Sequence, residues 1–152
     1  FRMLDDSARA WDFSVFPDFD FYGITYDAFF LSSNGYITFD HADDYYVDSE
    51  SELYRHPTIC GLCEDTGADE AGTVTVDEFA TEVVVTFDGV PFDYESFYNS
   101  WQMILNLDGS IELVYLEVPV GGFDSSDVIV TGIGSGYGSG SYPGETNLYA
   151  GP

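Results

Sequence analysis

The feature that most constrains this chain is a side-chain period of two, carried in short runs rich in Val, Ile, Tyr, Phe and Thr and broken by turn residues. A period of two sends alternate side chains to opposite faces, which is the pattern of a half-buried strand. In residues 11–16, Trp11, Phe13 and Val15 alternate with Asp12 and Ser14, and Pro17 ends the run. Residues 19–23 form an aromatic stretch that turns at Gly23. Residues 28–32 and 36–39 flank Asn34-Gly35, and residues 97–107 and 110–118 flank Asp108-Gly109. Both dipeptides predict type I′ hairpins, because that turn needs positive φ at its two central positions. Residues 73–79 and 82–87 predict another hairpin around Ala80-Thr81, with Val74, Val76, Val83, Val85 and Phe87 facing one way and Val84 the other. Trp101, Met103, Leu105 and Leu107 line up in the same manner with Ile111, Leu113 and Tyr115 on the partner strand. Residues 57–62 and 128–133 complete the strand set.

No window of a dozen residues carries a helical stripe; only residues 5–10 suggest a helical turn. Hairpin-joined strands without crossover helices predict an all-β fold, an antiparallel β-sandwich of about eight to ten strands. The sandwich is expected over residues 1–138. Residues 139–152, rich in Gly and Ser, read as a flexible linker or extended arm.

This order of motifs resembles nidogen-like extracellular modules and related modules in large surface proteins of marine, planctomycete-like bacteria. The resemblance begins at Phe21-Tyr22-Gly23 and continues through Phe30-Leu31-Ser32-Ser33-Asn34-Gly35-Tyr36-Ile37-Thr38-Phe39. It goes on through Pro57-Thr58-Ile59-Cys60-Gly61-Leu62 with Asp65, then Gly72-Thr73-Val74 with Val84-Val85-Thr86-Phe87-Asp88-Gly89-Val90-Pro91. Asn99-Ser100-Trp101-Gln102, Asp108-Gly109-Ser110-Ile111 and Gly132-Ile133-Gly134-Ser135-Gly136 close it. It spans residues 11–138 and implies an extracellular β-sandwich without catalytic residues. The chain departs from the pattern where those modules often place an aromatic residue before the aspartate; here Cys60 and Cys63 occupy that region.

The charge balance excludes several partners. Asp and Glu total 28 against three basic residues, all arginine, for a formal net charge of −25. Such a surface repels nucleic-acid phosphates and anionic bilayers. No run of about 18 apolar residues exists to insert into a membrane. A hydrophobic fraction of 45% nevertheless predicts a packed core. The acidity suits salty media, where the Debye length falls from ~8 Å to ~3 Å as salt rises from ~0.15 M to ~1 M. The start at Phe1 suggests a piece of a longer precursor, and an extracellular or cell-surface location is expected.

The candidate chemistry follows from the same residues. Cys60 and Cys63 are the only cysteines. Their spacing leaves three readings open: a local disulfide, which needs a turn; buried thiols; or a link between chains. One such pair cannot close a four-ligand zinc site, and no His lies at ligand spacing from it. Calcium is the expected ion, since it takes six to eight oxygens. Glu64, Asp65, Asp69 and Glu70 share one acidic loop, while Asp40, Asp43, Asp44 and Asp48 share another that is expected to be solvated. Neither matches an EF-hand. His41 lies in an acidic loop and His56 precedes Pro57. With no nucleophile elbow or other distinctive constellation, no enzymatic activity is expected. Tyr45 and Tyr46, with Tyr54, Tyr94 and Tyr98, are candidates for stacking on sugars or anchoring protein contacts. Leu148 and Tyr149 would anchor a strand that the arm adds to the sheet edge of a neighbouring copy.

The expected function is thus an extracellular structural or adhesive module, with neighbouring modules or identical subunits as partners and fibre assembly by strand addition. A carbohydrate-binding module, with glycans as partners, is the alternative.

Overall fold

The computed structural model describes residues 1–47, 49–92, 97–119, 129–138 and 146–147. The chain is an antiparallel β-sandwich. A six-stranded sheet has the order β1 (Ala8–Asp12), β4 (Ala28–Ser32), β5 (Tyr36–Thr38), β6 (Pro57–Cys63), β11 (Val130–Ser135), β12 (Thr146–Asn147). A four-stranded sheet has the order β10 (Ile111–Glu117), β9 (Tyr98–Asn106), β8 (Glu82–Pro91), β7 (Thr73–Glu78). A small hairpin pairs β2 (Phe19–Phe21) with β3 (Ile24–Tyr26). The helical turn expected over residues 5–10 is not there: Ala8 to Asp12 instead pair with β4, because an edge of that sheet accepts them in register.

The alternation places the main core between the two sheets. Leu31, Ile37 and Ile59 from one meet Val74, Val83, Val85, Phe87, Trp101, Met103 and Leu105 from the other. Leu107, read as inward-facing, is exposed because β9 ends at Asn106 and Leu107 begins the turn. Both dipeptide-marked hairpins form, but neither turn is type I′. Only the glycines adopt positive φ, Gly35 at 83° and Gly109 at 84°. Each connection is a three-residue loop in which a single glycine supplies the left-handed step. Asn34 therefore serves another purpose. Its buried side chain donates to Asp6 Oδ1 (2.9 Å) and to the Asp44 carbonyl (3.1 Å), and accepts from the Thr66 N–H (3.2 Å). It ties the amino-terminal segment and two acidic loops to one point.

The outer face of the six-stranded sheet is also covered. Tyr36, Cys60, Cys63 and Val130 point away from the main core and pack with Val47, Leu53 and Tyr54. Val47 comes from the acidic loop expected to be solvated, and Leu53 and Tyr54 follow just after it. Leu53 is fully buried and a one-turn helix, α1 (Glu50–Leu53), presents it.

A carboxylate locks the sandwich at one end. Glu78, at the end of β7, accepts hydrogen bonds from the backbone N–H groups of Ser14, Val15 and Phe16 and from the Ser14 hydroxyl. Three successive N–H groups form an anion-binding concavity. Burial by itself would raise the carboxyl pKa, but these donors outweigh it and hold it at about 2, against an ordinary 4.5. The folded pKa lies below the unfolded one. The stabilisation is therefore complete above about pH 4.5 and is lost as pH falls towards 2. Glu78→Gln is expected to cost about 1–2 kcal/mol at neutral pH, since water screens this partly exposed site. Denaturant titrations of both proteins at pH 7 and pH 3 check this, and the difference shrinks at the lower pH.

Candidate functional site

The site is built by extending the β5–β6 ladder past its last bonded pair. Tyr36 faces Cys60 and Thr38 faces Thr58. Phe39 N–H then donates to the Pro57 carbonyl at 3.0 Å, so the next position on the same face sets Asp40 opposite His56. Period two sends Tyr36, Thr38 and Asp40 to one side, and Cys60, Thr58 and His56 to the same side. The column thus runs from an apolar pair, through a hydroxyl pair, to an aspartate–histidine pair at the rim.

The hydroxyl pair fixes the rim. Thr38 and Thr58 are buried, at 1% and 2% exposure. Thr38 Oγ1 donates to the His41 carbonyl at 2.6 Å, and Thr58 Oγ1 donates to the His56 carbonyl at 2.9 Å. Both histidines of the chain are thereby held against one carboxylate. His41 Nδ1 lies 2.9 Å from Asp40 Oδ1, and His56 Nδ1 lies 3.2 Å from Asp40 Oδ2. The imidazole centroids are 4.0 Å apart. Burial pushes the Asp40 carboxyl up, but hydrogen bonds from His41 and His56 prevail and leave it below its ordinary value.

Beside these groups opens a cleft of about 240 Å³, lined by His41, Asp43, Tyr45, Glu52, Arg55 and His56. Its rim hangs from Tyr36, whose buried hydroxyl reaches the carbonyls of Asp43 and Tyr45. Burial, together with the nearby Asp43 and Asp44 carboxylates, raises the Tyr36 pKa well above its ordinary value. The phenol therefore stays protonated as a donor.

The tyrosines expected at a surface divide. Tyr45 and Tyr46 stack on one another with centroids 5.7 Å apart, and Tyr45 is 69% exposed. Tyr98 is exposed at the start of β9. Tyr54, by contrast, is buried in the outer-face core, with its hydroxyl donating to Glu50 at 2.9 Å. It cannot present a ring to a ligand. Tyr94 and Asp48 lie outside the described residues, as do Leu148 and Tyr149.

The acidic loops are rearranged relative to the sequence grouping. Among the described residues, Asp65 forms a group of three within ligand distance with Asp5 and Asp6 from the amino-terminal segment, and no such group of three contains Glu64, Asp69 or Glu70. The carbonyls of Asp69 and Glu70 accept from the Arg2 guanidinium, which sets a positive charge beside that loop. Asp43 belongs to the histidine cleft, and Asp44 offers its carbonyl to Asn34.

Cys60 and Cys63 form a disulfide with Cα atoms 5.7 Å apart. They lie within a strand, not in a turn. β6 holds one residue more than β11 between the pairs Cys60–Gly132 and Cys63–Val130, and this bulge brings positions three apart within bonding reach.

Alternation along the chain could not show the histidine pair, because Asp40 and His56 come together only through β5–β6 pairing. No helix among the described residues is long and apolar enough to cross a membrane. No family model, curated protein or solved structure matches this chain.

Proposed function

We propose that this chain is an extracellular structural or adhesive module whose carboxy-terminal segment, paired with its own sheet in the single chain, exchanges onto the sheet of a neighbouring copy. The observation that carries this reading is β12. Thr146 and Asn147, beyond the Gly/Ser-rich stretch, pair antiparallel with Ile133 and Gly132 of β11. A two-residue strand buries little and is easily exchanged, and the edge it leaves is a ready template for an identical segment. Exchange passed head to tail from each chain to the next, with a rotation that does not close, builds a filament. The disulfide supports an oxidising compartment, and the charge of −25 supports a salt-rich one. The work of such a module is to hold and touch, without catalysis. A nidogen-like relationship fits this role and forms part of the proposal.

Sedimentation of the full chain over a range of concentrations, beside a chain ending at residue 138, tests it. Larger species are expected from the full chain only. A full chain that stays monomeric at every concentration, or a truncated chain that assembles equally well, contradicts the reading.

A second reading rests on the stacked, exposed Tyr45–Tyr46 pair beside the cleft. Paired aromatic faces with neighbouring polar groups suit a sugar ring. Glycan binding that disappears in Tyr45→Ala would favour it. Calcium enters the proposal through Asp5, Asp6 and Asp65, whose oxygens are the ligand type that ion takes. A melting midpoint that a chelator leaves unchanged would remove it.

A further inference from the structure

We propose that Asp40, His41 and His56 form a binding site for one divalent transition-metal ion of the zinc or copper type. The reading is independent of strand addition. Their ligand atoms all lie within 4.8 Å of one another. Ligands about 2.0 Å from a tetrahedral ion stand about 3.3 Å apart. The two nitrogen–oxygen separations here, 2.9 and 3.2 Å, are close to that edge. Each imidazole nitrogen faces a different oxygen of the one carboxylate, Oδ1 for His41 and Oδ2 for His56, and a shared ion would sit among them.

The donor set chooses among metals. Two imidazoles and one carboxylate favour Zn²⁺, Cu²⁺ or Ni²⁺ over the oxygen-seeking Ca²⁺ and Mg²⁺. The chain has 28 carboxylates but only two histidines, and the fold sets both against the same aspartate. The carbonyls of both histidines are pinned by the buried pair Thr38 and Thr58, which limits the ordering that binding requires. Side-chain exposures of 43%, 44% and 23% for Asp40, His41 and His56 leave the ion a path from solvent. The cleft beside them leaves room for water or for Glu52 to complete the coordination. A bound ion would join the end of β5 to the start of β6 and so close the acidic excursion between them.

The test is calorimetric titration of the full chain with Zn²⁺ in physiological salt and a millimolar excess of Ca²⁺, which occupies diffuse carboxylate sites. One ion per chain is expected. His41→Ala, His56→Ala and Asp40→Asn should each weaken binding by about tenfold or more, since even groups that only orient a ligand are worth that much, while Asp77→Asn on the other sheet leaves it unchanged. Unaltered melting midpoints without metal show that the variants remain folded. The unsubstituted chain supplies a second readout that needs no variant. Its Cu²⁺ paramagnetic resonance spectrum should carry coupling to two imidazole nitrogens. Zinc binding indifferent to replacement of both histidines, no binding above the diffuse background, or a copper spectrum without imidazole nitrogen overturns the site.

Discussion

Trp101→Ala is expected to cost about 3–5 kcal/mol, a large share of the about 5–15 kcal/mol by which a folded domain is stable. The indole is fully buried on β9 and lies parallel to the Phe87 ring, with centroids 4.4 Å apart and planes 8° from each other. It also fills the space against β6 at Gly61, where a Cβ would come within 2.7 Å of the indole nitrogen. It thus joins the two sheets at their closest approach, and alanine leaves a cavity that neither sheet can close. Chemical denaturation gives the loss directly. Trp101→Phe should be far milder, because the indole N–H is buried with no hydrogen-bond partner among the described residues. Phenylalanine keeps a stacking ring and removes that unpaired donor. A Phe variant as damaged as the Ala variant would contradict this account of the contact.

Gly35→Ala is expected to be nearly as harmful, for a backbone reason. Gly35 has φ 83°, which costs an L-residue about 1–2 kcal/mol. An added Cβ would also lie 2.1 Å from the Leu62 carbonyl oxygen, an impossible distance. The β4–β5 hairpin would have to lift from β6, where the Gly35 carbonyl accepts from Gly61 N–H at 3.1 Å. Overpacking of this kind adds about 1–3 kcal/mol, so a total loss of about 2–5 kcal/mol is expected in the same denaturation experiment. Gly109→Ala is the control. It shares the positive φ but has open space around the added carbon, so only the conformational cost should appear.

The two glycines also show what the sequence made legible. Asn34-Gly35 and Asp108-Gly109 marked both hairpins, because each of these two loops needs a left-handed residue and glycine adopts it freely. The dipeptide could not reveal that the loops hold three residues. Nor could it reveal that Asn34 turns its amide inward to join Asp6, Asp44 and Thr66, since those partners lie far away in the chain. The main core followed from alternation, as Val83, Val85, Phe87, Trp101, Met103 and Leu105 show.

The outer-face core did not follow, because Val47, Leu53 and Tyr54 are isolated among carboxylates and have no period to betray them. A local signal was present in Ser49-x-x-Glu52, the spacing of a helix start. The structure begins α1 there, although Ser49 makes no side-chain cap. The histidine site was illegible for a related reason. His56 meets Asp40 and His41 only once β5 pairs with β6, and the chain between them hides that register.

In the proposed assembly the β11 edge takes a strand from the carboxy-terminal segment of another chain. Solid-state magnetic resonance on assemblies grown from an equal mixture of ¹⁵N-labelled and ¹³C-labelled chains measures this directly. Magnetisation should pass between chains from the backbone of residues 132–133 to that of residues 146–147. Transfer between these positions found only within single chains, in assemblies of any concentration, would contradict the claim.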